Sequence, residues 1–188
     1  MEPPASPTIT AEPPPPAANR RPTPAATLLK GLLVISLPLY VLDQVTKYAV
    51  VRNIRYGEYI PVVPGWFDLV HVHNTGAAWG MMHDSNTFFV VLSLVALVVM
   101  AVLYLRNAFA DALQRTGFFL LASGIFGNVT DRLVHGHVVD FLSFDLHVPG
   151  ANPWPSFNVA DSCICMAVGL FLIRSFLDLF PKDANPPR

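Results

Sequence analysis

The sequence predicts a membrane all-α protein: a four-transmembrane-helix bundle with a small β-structure outside the bilayer. Composition is the first observation behind this. Of 188 residues, 53% are hydrophobic and 13% are charged, and the mean hydropathy is +0.45. A soluble domain carries about 25% charged residues. The second is the presence of four long apolar runs, at about 27–51, 87–105, 116–134 and 158–180. Each is near the roughly 20 residues needed to cross a hydrocarbon core. The third is residues 52–85, where the pattern turns alternating and β-branched.

Residues 1–26 are rich in proline and alanine, with Pro13-Pro14-Pro15-Pro16 at the centre. Such a segment has no apolar surface to bury and is expected to stay disordered. It lacks the basic start, prompt apolar core and small-residue cleavage site of a secretory signal. The first apolar run carries Asp43 and Lys47, four apart with the acid first, so they share a helix face. Pro38 is expected to kink this helix. Next, Tyr59-Ile60-Pro61-Val62-Val63 and Phe67 to His73 flank Pro64-Gly65 and read as two strands joined by a turn. Asn74-Thr75-Gly76-Ala77-Ala78-Trp79-Gly80 follows, with small residues for close backbone approach and a tryptophan suited to the membrane interface.

The second run has no charge, and residues 106–115 form a polar link. The third run turns polar at Gly127-Asn128-Val129-Thr130-Asp131-Arg132. An outer loop at 135–156 leads to the fourth run, and a polar tail at 181–188 ends the chain. Cys163 and Cys165 lie two apart, so they face different ways on a helix, and both read as buried packing residues.

Arg20, Arg21, Lys30, Arg106, Arg115, Lys182 and Arg188 all flank one side of this plan. By the positive-inside rule that side, with both termini, is cytoplasmic. Asp43, Lys47, Asn128, Asp131, Arg132, Asn158 and Asp161 then share one depth near the outer face. Asn74 and Asp140 join them from the outer segments. Many polar groups at helix ends only brace a bundle or snorkel to the interface. That reading competes for Asp43, Lys47 and Asp131. Asp140 and Asp161 stand among bulky apolar neighbours without a basic residue adjacent in sequence, and a charge in an apolar span costs about 2.5–3.5 kcal/mol. They are the candidates for chemistry.

Two neighbouring carboxylates resist ionising together and share a proton. The ionised one accepts a proton from water, and the protonated one donates to a carbonyl oxygen, which is the arrangement of an aspartic protease. At this depth the substrate must itself lie in the membrane. The net charge of −1 gives no case for nucleic acid. Histidines 71, 73, 135, 137 and 147 show no HExxH spacing, so no metal is expected. The competing class is a proton-coupled transporter using intramembrane acids. An unbroken apolar inner half of each run and the lack of an internal repeat count against it.

Five segments carry a resemblance to a known family. Asp43-Gln44-Val45-Thr46-Lys47, Asn74 to Gly80, Gly127 to Arg132, Val138-Val139-Asp140-Phe141 and Phe157-Asn158-Val159-Ala160-Asp161 are similar, in this order, to those of the bacterial lipoprotein signal peptidases (signal peptidase II). The resemblance spans about residues 27–180 and implies a membrane aspartic protease domain there. It would have a periplasmic β-cradle within 52–85 and a short amphipathic element before the last helix. It implies that Asp140 and Asp161 are the catalytic pair. Asn74, Gly76, Asn128, Arg132 and Asn158 would line the site, and Asp43, Lys47 and Asp131 would support it. The implied reaction removes the signal peptide from a prolipoprotein, before a cysteine carrying diacylglycerol. It needs no cofactor and is performed by a monomer in the phospholipid bilayer of the inner membrane, at its periplasmic face. The long proline-rich tail and Gly150-Ala151-Asn152-Pro153 depart from the family pattern without touching these segments.

Deleting residues 2–24 should leave membrane insertion and activity essentially unchanged, because Lys30 remains to orient the first span. Loss of insertion in a fractionation assay would show that Arg20 and Arg21 are needed as topogenic charges.

Overall fold

The computed structural model describes residues 23–76, 85–109, 111–148 and 154–180. The proline-rich tail up to Pro22, Trp79, the loop residues 150–153 and the C-terminal Lys182 and Arg188 lie outside the described residues. The chain opens with α1 (Pro24–Gly31). Thr23 caps it by accepting from the Ala26 N–H at 3.3 Å, and Pro24 occupies the first helical position, where a missing N–H costs nothing. A π turn, Leu32–Ser36, leads directly into α2 (Leu37–Asn53). The whole rod Pro24–Asn53 is 30 residues long.

The disruption expected at Pro38 takes the form of that π turn. Pro38 has no N–H to offer, and the ladder re-phases just before it: the Leu37 N–H donates to the Leu32 carbonyl, five residues back. Ser36, buried at this point, donates its hydroxyl to the Phe119 carbonyl at 2.8 Å and ties the rod to a later helix.

The two predicted strands are present as β1 (Tyr59–Val63) and β2 (Phe67–Asn74), turning through Gly65 at φ +77°. A third strand, β3 (Val138–Phe144), completes an antiparallel sheet of order β1-β2-β3. In the β2–β3 register Leu69 faces Leu142 and Val72 faces Asp140, so β2 holds one extra residue, a bulge. Pro61 lies on the edge strand, where its missing donor breaks no ladder.

Three further helices complete the fold: α3 (Asn86–Leu105), α4 (Ala112–His135) and α5 (Val159–Asp178). The rod, α3 and α5 are each long and apolar enough to cross a membrane. Only 6%, 6% and 17% of their most apolar windows are buried within the protein, so their leucine- and valine-rich outer faces need lipid as solvent. The third predicted run forms α4, which has 24 residues. Arg115, Asp131 and Arg132 make it less apolar than the others. Asp111 caps α4 by accepting from the Gln114 N–H at 2.9 Å and also pairs with Arg174 of α5, which holds Asp178 at 2.7 Å. Gly136, at φ +77°, ends α4 in the left-handed conformation that glycine adopts without strain.

Of the two cysteines, Cys163 is buried as expected, whereas Cys165 is exposed on the outer face of α5. The two positions are two residues apart on one helix, so one faces the bundle and the other faces away.

Helix α4 packs closely on α5 because glycine replaces a side chain at the contact. A Cβ on Gly127 would stand 2.5 Å from Asp43 Oδ2 and 3.0 Å from the Ala160 Cβ. One on Gly124 would run into the Ala160 carbonyl oxygen. Small residues at such contacts let membrane helices approach and gain dispersion contacts. Gly124→Ala should therefore cost about 1–3 kcal/mol by overpacking, read as a lower thermal midpoint in detergent. An unchanged midpoint would mean that the two helices separate freely.

Candidate active site

The site forms where β3, the C-terminal end of α4 and the start of α5 meet. Phe157 makes an isolated bridge to Leu142 of β3, its N–H donating at 3.0 Å and its carbonyl accepting at 2.8 Å. The next residue, Asn158, is thereby set beside Asp140. Asn158 is also the N-cap of α5: its side chain accepts from the Asp161 N–H at 2.9 Å, and Asp161 Oδ2 accepts from the Asn158 N–H at 3.2 Å. Both halves of a capping box are present. The second acid is thus fixed by the local geometry of a helix start.

Asparagine amides hold both acids. Asp140 is buried and accepts from Asn158 Nδ2 at 2.7 Å on Oδ1 and from Asn74 Nδ2 at 2.9 Å on Oδ2. Asp161 Oδ1 accepts from Asn128 Nδ2 at 2.7 Å. Asn128 Oδ1 in turn accepts from Asn158 Nδ2 at 3.2 Å and from Lys47 Nζ at 3.1 Å. Neutral amides satisfy the carboxylates without neutralising them, so burial still disfavours charge. The Asp140 carboxyl is pushed up to about 7, by burial first and by the neighbouring Asp161 second.

Behind the acids lies a buried ionic group. Lys47 Nζ lies 2.8 Å from Asp43 Oδ2 and 2.9 Å from Asp131 Oδ2. Gln44 Nε2 donates to the same two acids, to Asp43 Oδ2 and Asp131 Oδ1, each at 3.1 Å. Arg132 lies on the other side. Its guanidinium sits 5.1 Å above the Phe89 ring and donates through Nη2 to the Gly76 carbonyl at 3.3 Å. Asn74 Oδ1 accepts from the Gly76 N–H at 3.0 Å, so Gly76 joins Arg132 to Asn74.

Every residue singled out from the sequence is in this neighbourhood: Asn74, Gly76, Asn128, Arg132, Asn158, Asp140 and Asp161 at the acids, with Asp43, Lys47 and Asp131 behind them. Sequence reasoning did not single out Gln44, Phe89 or Asn86, whose amide donates to the Arg132 carbonyl at 3.2 Å. Gln44 was findable as a polar residue inside an apolar run; the other two were not. The histidines form a separate group outside the acids. His73 and His137 stack at 3.6 Å, with His71 5.1 Å from His73. Burial and the adjacent imidazoles, His137 first, push His73 down to about 4. Among the described residues no group of three or more His, Cys, Asp or Glu is arranged to hold a metal ion.

The family description "Signal peptidase (SPase) II" matches residues 35–177. The chain belongs to the signal peptidase II family. The lipoprotein signal peptidase of Syntrophotalea carbinolica is 41% identical over 150 residues, covering 78% of this chain and 91% of that protein. Those of Staphylococcus haemolyticus and Neisseria meningitidis are 35% and 40% identical over 81% and 77% of this chain, and 92% and 88% of their own. A bacterial membrane enzyme solved by the in meso method at 2.3 Å superposes with a TM-score of 0.76 at 28% identity, over 85% of this chain and 96% of its own. Another, solved at 1.9 Å, gives 0.70 at 28% identity over 82% and 96%. Membership of the signal peptidase II family implies a bacterial membrane protease, in agreement with the apolar helices.

Arg132 uses a planar fork, stacked on Phe89 and bonded to Gly76, which an ammonium cannot reproduce. Arg132→Lys should therefore lower kcat/KM on a lipidated peptide by about 1–3 kcal/mol in barrier terms. Wild-type kinetics would return this residue to a simple interfacial role.

Proposed function

We propose that the protein is an aspartic endopeptidase that removes the signal peptide from diacylglyceryl-modified prolipoproteins, with Asp140 and Asp161 as the catalytic pair. The observation that carries this is the double hold of Asn158. Its side chain donates to Asp140 at 2.7 Å, and its backbone N–H donates to Asp161 at 3.2 Å. One residue thus presents two carboxyl groups side by side. Asp140, with its proton held to about pH 7, fits a pair that shares one proton.

In this reading a water sits between the two carboxyl groups. The ionised member takes a proton from the water as its oxygen attacks the scissile carbonyl carbon. The protonated member gives its proton to the carbonyl oxygen, forming a tetrahedral gem-diol. Collapse of that intermediate breaks the C–N bond as the member now protonated gives its proton to the leaving nitrogen and the ionised member takes a proton from a gem-diol hydroxyl, which restores the pair. Asn74, Asn128 and Asn158 orient the carboxyl groups. Arg132 and Gly76 lie where the substrate backbone would pass, and Asp43, Lys47 and Asp131 support the acids from behind. The domain occupies residues 27–180. With α4 as a fourth span, both termini are cytoplasmic and the acids lie at the periplasmic face of the inner membrane. The enzyme acts as a monomer without a cofactor. The transporter alternative finds no support, since the inner ends of the helices close on Tyr104, Phe118 and Phe119.

Asp140→Asn and Asp161→Asn should each lower kcat on a lipidated substrate by roughly 100-fold or more, with expression and insertion retained. Near-normal turnover in either variant removes that residue from the mechanism.

Wild-type activity should follow a bell, with its alkaline limb at or above about pH 7, where the shared proton is lost. A flat profile in folded enzyme would exclude the pair. Stability gives a second reading of the same group. The unfolded carboxyl titrates near about 3.9, so between there and about 7 the folded state holds a proton that the unfolded chain has lost. The contribution of Asp140 is therefore most favourable at low pH and falls as pH rises through that window. Asp140→Asn should flatten this part of the stability curve.

A further inference from the structure

Two backbone amides carry an inference about the group behind the acids. Asp43 Oδ1 accepts from the Ala160 N–H at 2.8 Å. Asp131 Oδ2 accepts from the Val139 N–H at 3.1 Å. Ala160 immediately precedes Asp161, and Val139 immediately precedes Asp140. The two bracing acids therefore grip the main chain at the same offset, one residue before each member of the pair. Lys47 Nζ then joins them, at 2.8 Å to Asp43 and 2.9 Å to Asp131. Its remaining donor goes to Asn128 Oδ1 at 3.1 Å, the residue whose amide holds Asp161 at 2.7 Å.

The geometry points to Lys47 as a positioning residue that sets how far apart Asp140 and Asp161 stand, by drawing together Asp43 and Asp131 and, through them, the Ala160 and Val139 amides. This rests on the reading of Asp140 and Asp161 as the catalytic pair. A brace needed only for stability has no reason to grip both chains at the position next to an acid. Here α2 supplies neither acid, yet it fixes the start of α5 and the start of β3 relative to one ammonium. Lys47 is 3% exposed, Asp43 1% and Asp131 2%, so none of these links is loosened by water. Gln44 doubles the link between the same two acids at 3.1 Å each. Separation matters because two carboxyl groups share a water and a proton only over a narrow range, and misplacement of a reacting group by about 1 Å costs on the order of 100-fold in rate.

The charged and titratable groups around the pair come from each element packed on it: Asp43 and Lys47 from α2, Asp131 and Arg132 from α4, and His71 and His73 from β2. Removing the ammonium leaves two uncompensated carboxylates near the pair. That makes ionisation of the pair harder, so both limbs of the pH profile move to higher pH.

The test measures kcat, KM and the pH profile per folded, detergent-solubilised enzyme for Lys47→Met and Lys47→Arg on a lipidated peptide. For Lys47→Met the expected result is a fall in kcat of roughly 100-fold at near-constant KM, with both limbs displaced upward. For Lys47→Arg, kcat should fall at near-constant KM with the limbs in place, because charge is kept and reach is altered. Wild-type kcat and unmoved limbs in Lys47→Met, with only a lower thermal midpoint, would overturn the proposal and leave Lys47 as a brace. Where Lys47→Met does not fold, Asp43→Asn decides. It keeps an acceptor for the Ala160 N–H and weakens the links at Oδ2, those to the ammonium and to Gln44, so kcat should fall about tenfold at constant KM. Unchanged kcat there also overturns it. Asp140→Asn and Asp161→Asn run alongside. If both remain active, the pair itself is wrong. If both are inactive while the Lys47 and Asp43 variants turn over normally, the pair stands and the positioning role falls.

Discussion

A single ammonium, Lys47, organises the end of the helices that meets the sheet. It sits between Asp43 and Asp131 at 2.8 and 2.9 Å and in hydrogen-bond contact with Asn128. A buried ion of this kind is costly to desolvate, and its attraction to partners offsets that cost only where every donor and acceptor is used. Here all three ammonium hydrogens have acceptors, and both acids accept from backbone amides as well. The ionic group is therefore also a junction of main chains. Four segments, α2, α4, β3 and α5, are each joined at it directly or through one carboxylate. The glycine at 127 follows from this, since any side chain there would occupy the place of Asp43 Oδ2.

The treatment of the two remaining acids contrasts with this. Asp43 and Asp131 have a cation; Asp140 and Asp161 have amides. Asn74, Asn128 and Asn158 donate to carboxylate oxygens without contributing charge. Geometry is thus fixed while proton affinity stays high, and Asp140 keeps its proton to about pH 7. Lysine or arginine at these positions would hold the carboxylates equally firmly and keep them ionised. The choice of amide over cation separates a carboxyl group such as Asp140, which keeps its proton to about pH 7, from ones that serve as fixed anchors.

Much of this was legible in the chain. Composition and run length disclosed the membrane class, and Pro64-Gly65 between alternating segments disclosed the β1–β2 hairpin. The site residues were visible because polar groups in apolar runs stand out. Other features were hidden for physical reasons. Strand β3 is buried along most of both faces, so it shows none of the alternation by which a half-buried strand is read. Pro38 announced a break in the helix but not that the chain would take it up as a π turn ending at Ser36. Phe89 and Asn86 meet Arg132 only because α3 packs against α4, a contact between residues more than 40 positions apart. Cys165 was misread because the rotation of α5 is set by where Asn158 caps it, which the cysteine spacing does not encode.

The bulge in β2 has a bearing on how this chain tolerates change in length. The extra residue between Leu69 and Val72 shifts everything after it by one place along β3. With it, Val72 faces Asp140, Asn74 faces Val138, and the Asn74 amide reaches Asp140 Oδ2 at 2.9 Å. Were the same residues to pair one for one with no bulge, His71 would face Asp140 and His73 would face Val138. The imidazoles would then take the asparagine's place beside the acid. Loss of one of the two residues between Leu69 and Val72 would absorb the bulge and keep Asn74 opposite Val138, whereas loss of His73 would move Asn74 along β3 and away from the acid that the deletion never touches. Elsewhere on the hairpin, at the Pro64-Gly65 turn, a change of length has no partner in β3 to displace. Loss of length in this hairpin among natural relatives should accordingly collect at the turn or at the bulge and avoid residues 72–74.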